Sequence, residues 1–124
     1  MEMITDKYVS LETAKLLKDK GFSQACTTYY LDREIFRHHY GEVIPKGKQI
    51  YAAPTQAMVM KWLRKKNIII IPKPKCFNKK GKCSVWSCSI WLKNMYIELQ
   101  SEFRSYEEAC ETAIKSSLLV FVIK

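Results

Sequence analysis

Residues 82–99 read KCSVWSCSIWLKNMYIEL, in which apolar and small polar side chains alternate. Successive side chains of a strand point to opposite faces, so Trp86, Cys88, Ile90 and Leu92 would share one face. If Lys93-Asn94 is a two-residue turn, three apolar pairs face each other, namely Leu92 with Met95, Ile90 with Ile97, and Cys88 with Leu99. A slip of one residue would break every pair, so the sequence predicts an antiparallel hairpin in this register.

A helix should follow the hairpin and cover its apolar face. Ser105-Tyr106-Glu107-Glu108 is a capping box that marks the start of a helix. Five apolar residues then recur on one side of this helix: Ala109, Cys110, Ala113, Ile114 and Leu118.

Another strand and another helix are expected before the hairpin. Ile68–Ile71 is β-prone, and Pro72 and Pro74 indicate that its far end is at a sheet edge or leaves the sheet. The preceding helix starts either at Ala53 with Pro54 or at Thr55, and ends at Asn67. Residues 54–122 are therefore predicted to form a helix, three antiparallel strands and a helix.

The N-terminal part adds a helix and a hairpin. Ser10 and Gly21 suit the two ends of a helix over Leu11–Lys20. The β-prone runs 27–31 and 35–40 then form a hairpin, and residues 41–49 form a loop. The expected fold is α+β, in the order α-ββ-α-βββ-α, with an antiparallel sheet that has helices packed on one face.

Size and composition favour one domain over residues 1–124, with an N-terminal helix and hairpin in 8–40. The chain has 124 residues, of which 48% are hydrophobic, and this is enough for a core without disulfides. Its longest apolar runs, Ile68–Ile71 and Leu118–Ile123, are too short to cross a bilayer, and no targeting signal is visible. We therefore expect a cytoplasmic protein.

The titratable and nucleophilic residues do not form a familiar active site. His38 and His39 are neighbours on a predicted strand and so face opposite ways. Glycine-rich phosphate loops and nucleophile elbows are absent from the sequence. Glu107, Glu108 and Glu111 are interpreted as a solvated helix face. We expect a protein that is not an enzyme and that needs no cofactor.

The five cysteines are expected to be reduced and mostly buried, because their number is odd and their spacing does not fit a disulfide or zinc framework. With a four-residue loop at 78–81, Cys76 would lie opposite Cys83. Cys88 would then point to the other face and could not complete a metal site. No metal is expected.

Charge is distributed unevenly along the chain. No acidic residue occurs between Glu42 and Glu98. That segment carries +12, against +9 for the whole chain, so the remainder carries −3. Its cations are Lys46, Lys48, Lys61, Arg64, Lys65, Lys66, Lys73, Lys75, Lys79, Lys80, Lys82 and Lys93. Such asymmetry favours a negatively charged partner, either nucleic acid or a nucleotide.

The candidate ligand-binding residues combine cations with aromatic side chains: Lys61, Arg64, Lys65, Lys66, Lys73, Lys75, Lys79, Lys80, Lys82, Trp91 and Tyr96. Trp91, Tyr96, Ile68 and Ile70 are expected on the sheet face opposite the core. Lysines attract phosphates, and exposed aromatic rings can stack on bases. Alternatively, the lysines only keep an edge strand soluble, and the first helix or hairpin covers the aromatic residues.

A protein partner is the competing hypothesis. It would be bound through the hairpin around Tyr29, Tyr30 and Phe36 or through an exposed sheet edge, and a homo-oligomer would use the same surfaces.

The element order from Thr55 to Val122, about half the chain, resembles the double-stranded RNA-binding domain. That family has a lysine cluster at the start of its last helix, whereas residues 105–111 here read SYEEACE. The likeness therefore implies a topology but not the duplex-binding motif.

The whole chain also resembles a group of small proteins from phages and mobile elements of gut Bacteroidetes. The matching stretches are Tyr8–Leu17, Gly21-Phe22, Tyr29-Tyr30, Ala53–Gln56, Trp62-Leu63 and Tyr106–Ala109. The resemblance implies a context rather than an activity: a phage accessory protein inside a bacterial host, acting against host defences.

Overall fold

The structure is a computed structural model that describes residues 6–24, 26–37 and 49–122. The described helices are α1 (Leu11–Asp19), α2 (Gln56–Arg64) and α3 (Tyr106–Val120). The described strands are β1 (Thr28–Leu31), β2 (Glu34–Arg37), β3 (Ile50–Ala52), β4 (Ile69–Phe77), β5 (Cys83–Trp91) and β6 (Tyr96–Glu98). The α+β class and the predicted order of elements are confirmed, with β3 as an additional short strand. His38, His39 and most of the predicted loop over 41–49 lie outside the described residues.

The ends of α1 follow the sequence signals. The Ser10 hydroxyl accepts a hydrogen bond from the Thr13 amide at 3.2 Å. Gly21 adopts a positive φ of 85°, and the Phe22 amide donates to the Leu17 carbonyl at 2.9 Å. This Schellman motif satisfies carbonyls that the last helical turn leaves without a partner.

The ends of α2 and the start of α3 are capped in related ways. Thr55 caps α2 by accepting from the Met58 amide at 3.2 Å, which selects Thr55 over Ala53 as the cap. Beyond the end of α2, Asn67 adopts a φ of 63°, and the Ile68 amide donates to the Leu63 carbonyl at 3.0 Å. Ser105 caps α3 by accepting from the Glu108 amide at 3.0 Å.

The strands form two antiparallel three-stranded sheets, in the orders β2-β1-β3 and β4-β5-β6. The predicted register of the second hairpin is confirmed, because Ile90 lies opposite Ile97. The Leu92 amide donates to the Met95 carbonyl at 2.8 Å, and the Leu99 amide donates to the Cys88 carbonyl at 2.9 Å. All three predicted pairs are thus present.

The core lies between the helices and one face of the sheet β4-β5-β6. Helices α2 and α3 contact this sheet. The largest side chains of the cluster are fully buried, and they come from all three helices and from β5: Leu17, Leu63, Ile90, Ile114 and Leu118. The tyrosines of the other sheet, Tyr30 and Tyr51, pack against the same cluster.

The predicted orientation of the isoleucine run is wrong. Ile68 and Ile70 are buried in the core, with 4% and 6% of their surface exposed. Ile70 is in register with Ile90, a core residue, so Ile69 points the other way and lies opposite Trp91. Four consecutive isoleucines contain no polar residue that would tell one face from the other.

The predicted pairing of Cys76 with Cys83 is also wrong. Cys76 is in register with Val85, and Cys83 with Phe77. The register shifts between Pro74 and Cys76 and again between Cys76 and Phe77, as happens at β-bulges. The prediction was wrong because it assumed a regular hairpin with a four-residue loop and no bulge.

Candidate nucleic-acid interface

One face of the sheet β4-β5-β6 points away from the helices. We call it the outer face, and its residues are Ile69, Ile71, Lys73, Ser87, Ser89, Trp91, Tyr96 and Glu98. Their registers fix this assignment, because residues opposite one another in a sheet share a face. On this face Trp91 lies between its two cross-strand neighbours, Ile69 on β4 and Tyr96 on β6.

Trp91 and Tyr96 form a stacked aromatic pair. Their ring centroids are 4.5 Å apart, with an angle of 17° between the planes. The Trp91 indole Nε1–H donates to the Ser89 hydroxyl at 3.0 Å, so the indole lies over Ser89, which has no exposed surface. This bond and the stack fix the orientation of the indole before any ligand arrives.

The aromatic pair remains accessible in the described structure. Trp91 is 38% exposed, Ile69 42% and Tyr96 53%. Tyr96 lies on the edge strand β6, and its large exposure leaves the ring face turned away from Trp91 available for stacking. Trp91 and Tyr96 were predicted on this face, and their placement is confirmed. Ile69 was missed because the phase of the isoleucine run was wrong.

A first group of cations lies where α2 ends and the β5–β6 turn begins. We call Lys61, Arg64, Lys65, Lys66 and Lys93 the helix-end cluster. Lys66 and Lys93 line one cleft of about 470 Å³ together with apolar residues that include Ile68, Leu92 and Phe121. Lys61 and Lys65 line a second cleft of about 260 Å³ beside Gln24. Lys66 and Lys93 thus lie at the end of the sheet near Trp91, whereas Lys61, Arg64 and Lys65 lie at the end of α2, which packs on the opposite face of the sheet.

A second group of cations lies at the tip of the β4–β5 hairpin. We call Lys79, Lys80 and Lys82 the hairpin-tip cluster. The Asn78 carboxamide oxygen accepts from the amides of Lys80 at 2.9 Å and Lys82 at 3.0 Å, and Gly81 adopts a φ of 80°. Strand β4 has nine residues, which separates the two clusters by about 26 Å at roughly 3.3 Å per residue.

The lysines between the clusters are neutralised. Lys73 pairs with Glu98 at 3.6 Å, and Lys75 pairs with Glu102 at 2.6 Å. Of the twelve cations in the acid-free segment, Lys46 and Lys48 lie outside the described residues. The other eight have no carboxylate within 4.0 Å in the part of the chain that the structure describes. The basic segment is therefore two clusters rather than one continuous band.

The predicted solvated face of α3 is wrong for Glu111, which is half-buried. Its carboxylate accepts from the Ser10 amide at 3.2 Å, from the Ser10 hydroxyl at 2.9 Å and from the Thr13 hydroxyl. Gln56 Nε2 donates to its other oxygen at 3.1 Å. Burial acts to raise the pKa of Glu111, but the hydrogen bonds from Thr13, Gln56 and Ser10 outweigh burial and hold the pKa below its ordinary value.

Glu111 therefore joins the N-terminal ends of α1 and α2 to α3. It lies in a cleft of about 640 Å³ that Tyr8, Arg33, Glu107 and Glu108 also line. Both of its oxygens already accept hydrogen bonds, so its role is to hold three helices together. The sequence offered no signal for this role, since Glu111 is far from its partners along the chain.

The described cysteines are free thiols. Cys88 and Cys110 are buried, whereas Cys76 is exposed and the other two are partly exposed, so the expectation of mostly buried thiols holds for these two alone. Burial, with the nearby Cys110, raises the pKa of Cys88 to about 12, and burial raises that of Cys110 to about 11. Neither thiol forms a thiolate near neutral pH.

Within the described ranges 6–24, 26–37 and 49–122, no group of three or more His, Cys, Asp or Glu side chains is placed to hold a metal ion. The helices in these ranges are also too short, or insufficiently apolar, to span a bilayer.

The chain was compared with protein-family models, curated proteins and solved structures, and no match to any of them was found.

Proposed function

We propose that the protein is a non-enzymatic binding protein whose ligand is nucleic acid, bound on the outer face and by the two cation clusters. One observation carries the proposal: among the described residues eight cations have no carboxylate partner, and five of them, Lys66, Lys93 and the hairpin-tip cluster, lie towards the two ends of the sheet whose outer face carries an exposed, pre-oriented aromatic pair. Cations supply attraction to phosphates that is independent of sequence, and aromatic rings supply stacking. A site with both fits nucleic acid better than a simple anion.

Two residues of the helix-end cluster also stabilise α2 itself. Lys61 and Arg64 lie in the last turn of α2, where cations interact favourably with the helix dipole. That contribution is about 0.3–1 kcal/mol each and explains the position of two charges. Interaction with a helix dipole does not explain the positions of Lys79, Lys80 and Lys82, because these residues lie at the tip of a β-hairpin. The hairpin-tip cluster is thus the better test of the proposal.

The salt dependence of binding tests the proposed function. For a single strand, the slope of log affinity against log salt is about −0.7 per phosphate contact. We expect steep weakening as salt rises, in a fluorescence anisotropy titration with a labelled oligonucleotide. The triple variant K79A/K80A/K82A should make the slope shallower by up to about 2, since three contacts are removed.

A matched control removes three lysines elsewhere. Lys15 and Lys18 lie over the Tyr51 ring, and Lys20 is the C-cap of α1. K15A/K18A/K20A changes net charge by the same amount and should leave the slope nearly unchanged. An equal effect in both variants, or no binding of wild type at low salt, would contradict the proposal.

A protein partner is the second candidate, and the exposed Ile69, Trp91, Met95 and Tyr96 favour it. The predicted contact site on the first hairpin has less support. Tyr30 donates to the Val9 carbonyl at 2.7 Å, and Tyr29 packs on Phe36 with centroids 6.1 Å apart. A complex based on the apolar patch would persist at high salt, whereas one based on phosphates would dissociate.

The resemblance to proteins of phages and mobile elements supplies a context for this proposal. In that context the protein would act in the cytoplasm of a bacterial host. Nucleic acid is the common substrate of phage replication and of nucleases that defend the host. A protein that covers nucleic acid would therefore serve as an accessory or counter-defence factor without catalysing a reaction.

A further inference from the structure

We infer that the ligand is a single strand of nucleic acid that lies along the β4–β5 hairpin. Its path runs from Lys66 and Lys93 of the helix-end cluster, over the Trp91–Tyr96 pair, to the hairpin-tip cluster. This inference rests on the proposed function and adds the strandedness, the path and the minimum length of the ligand. Three features of the outer face support it.

The aromatic pair requires an unpaired base. A ring that stacks on a base must reach its flat face, which in a duplex is covered by the neighbouring base pairs. Unstacked bases of a single strand expose these faces, and each base stacked on an aromatic ring adds binding energy with little dependence on sequence. Tyr96, on the edge strand with 53% of its surface exposed, is the ring that such a base can reach.

The spacing of charges requires a ligand of some length. The two clusters are about 26 Å apart, and the lysines between them are paired with Glu98 and Glu102. One strand of a duplex rises about 3.4 Å per nucleotide, and an unstacked single strand extends further, so at most about eight nucleotides are needed to span this distance. A shorter oligonucleotide reaches one cluster and the aromatic pair, while a longer one reaches both clusters.

Among the described residues, the arrangement of helices and strands leaves this path uncovered. Helices α2 and α3 pack on the core face of the sheet, opposite the outer face. Pro72 and Pro74 are on the edge strand β4, where a proline leaves no amide to pair with a further strand. The surface is thus suited to a ligand that crosses its face rather than to a strand added at this edge.

The test measures binding of single-stranded oligonucleotides of about four and about ten nucleotides, in DNA and RNA forms, and of a duplex of about ten base pairs. We expect the longer single strand to bind at least tenfold more tightly than the shorter one, and at least tenfold more tightly than the duplex. A preference for the DNA or the RNA form supports the inference and identifies the source of the strand.

Variants separate the three features. Y96A should weaken both single strands by roughly 5- to 150-fold, and Y96F, which keeps the ring, should restore most of the loss. K79A/K80A/K82A should weaken the longer strand and leave the shorter one unchanged. These side chains are exposed, so the variants should fold, which a thermal melt checks.

Some results would contradict the single-strand path alone, whereas another would contradict nucleic-acid binding altogether. Duplex binding equal to or tighter than single-strand binding would overturn the inference and leave nucleic-acid binding intact. So would equal weakening of both lengths by K79A/K80A/K82A. If no oligonucleotide or duplex binds at low salt, the proposed function itself fails, and the inference fails with it.

Discussion

Glu111 shows how a single side chain can depend on contacts that are distant in sequence. On the helix pattern alone it is one of three acids at the exposed start of α3. In the structure it accepts hydrogen bonds from Ser10 and Thr13 on α1 and from Gln56 on α2. No local spacing predicts such a contact, because it forms only when three helices have packed together.

Replacing Glu111 with glutamine should lower the free energy of unfolding by about 2–3 kcal/mol at neutral pH, because hydrogen bonds to a charged acceptor are lost or reversed in polarity. Urea unfolding measures the loss. Glu107→Gln, an exposed change one turn earlier on α3, should cost less than about 1 kcal/mol. Equal stabilities of E111Q and wild type would contradict the role assigned to Glu111.

The difference in free energy of unfolding between wild type and E111Q should change with pH in a definite direction. The pKa of Glu111 is lowered in the folded protein, so its contribution is fully present above the pKa of the unfolded chain. The contribution is lost as pH falls through the lower, folded pKa. The stability gap between wild type and E111Q should therefore be constant near neutral pH and shrink in acid, below about pH 4.

Among the elements, the β5–β6 hairpin was predictable and the β4–β5 hairpin was not. Residues 82–99 alternate, so only one register buries all their apolar pairs. Strand β4 shows no alternation of apolar and polar residues, because its isoleucines are consecutive. Its pairing register also shifts on both sides of Cys76, so no single register could be predicted for it. The cysteine pairing and the orientation of Ile68 and Ile70 failed for this reason.

The ion pairs on β4 lead to a prediction about charge. Glu98 and Glu102 neutralise Lys73 and Lys75 between the clusters. E98Q/E102Q should free both lysines, tighten oligonucleotide binding severalfold at low salt and make its salt slope steeper. Stability should change by less than about 1 kcal/mol per pair, since both pairs are exposed.

A matched control distinguishes this local effect from a general change of net charge. E12Q/E107Q removes the same number of acids on α1 and α3, away from the outer face. It should tighten binding much less than E98Q/E102Q. An equal gain in the two double variants would indicate attraction to the molecule as a whole and would contradict a path along β4.

On the scale of the whole molecule, the sequence predicted how much positive charge there is but not how it is divided. The absence of acids between Glu42 and Glu98 is evident from the sequence. The division into two clusters depends on β4 being nine residues long and on the first acid after the segment, Glu98, lying beside Lys73. Both facts depend on how β4 pairs in the sheet, and its register could not be predicted from the sequence.

The most direct test of the central claim is an NMR titration of the protein with a single strand of about ten nucleotides. The side-chain Nε1–H resonances of Trp62, Trp86 and Trp91 report separately on α2, the core face and the outer face. We predict that the Trp91 resonance shifts most, together with the amides of residues 79–82 and 93. Shifts confined to the first hairpin, or a Trp91 resonance that does not move at saturation, would contradict the claim.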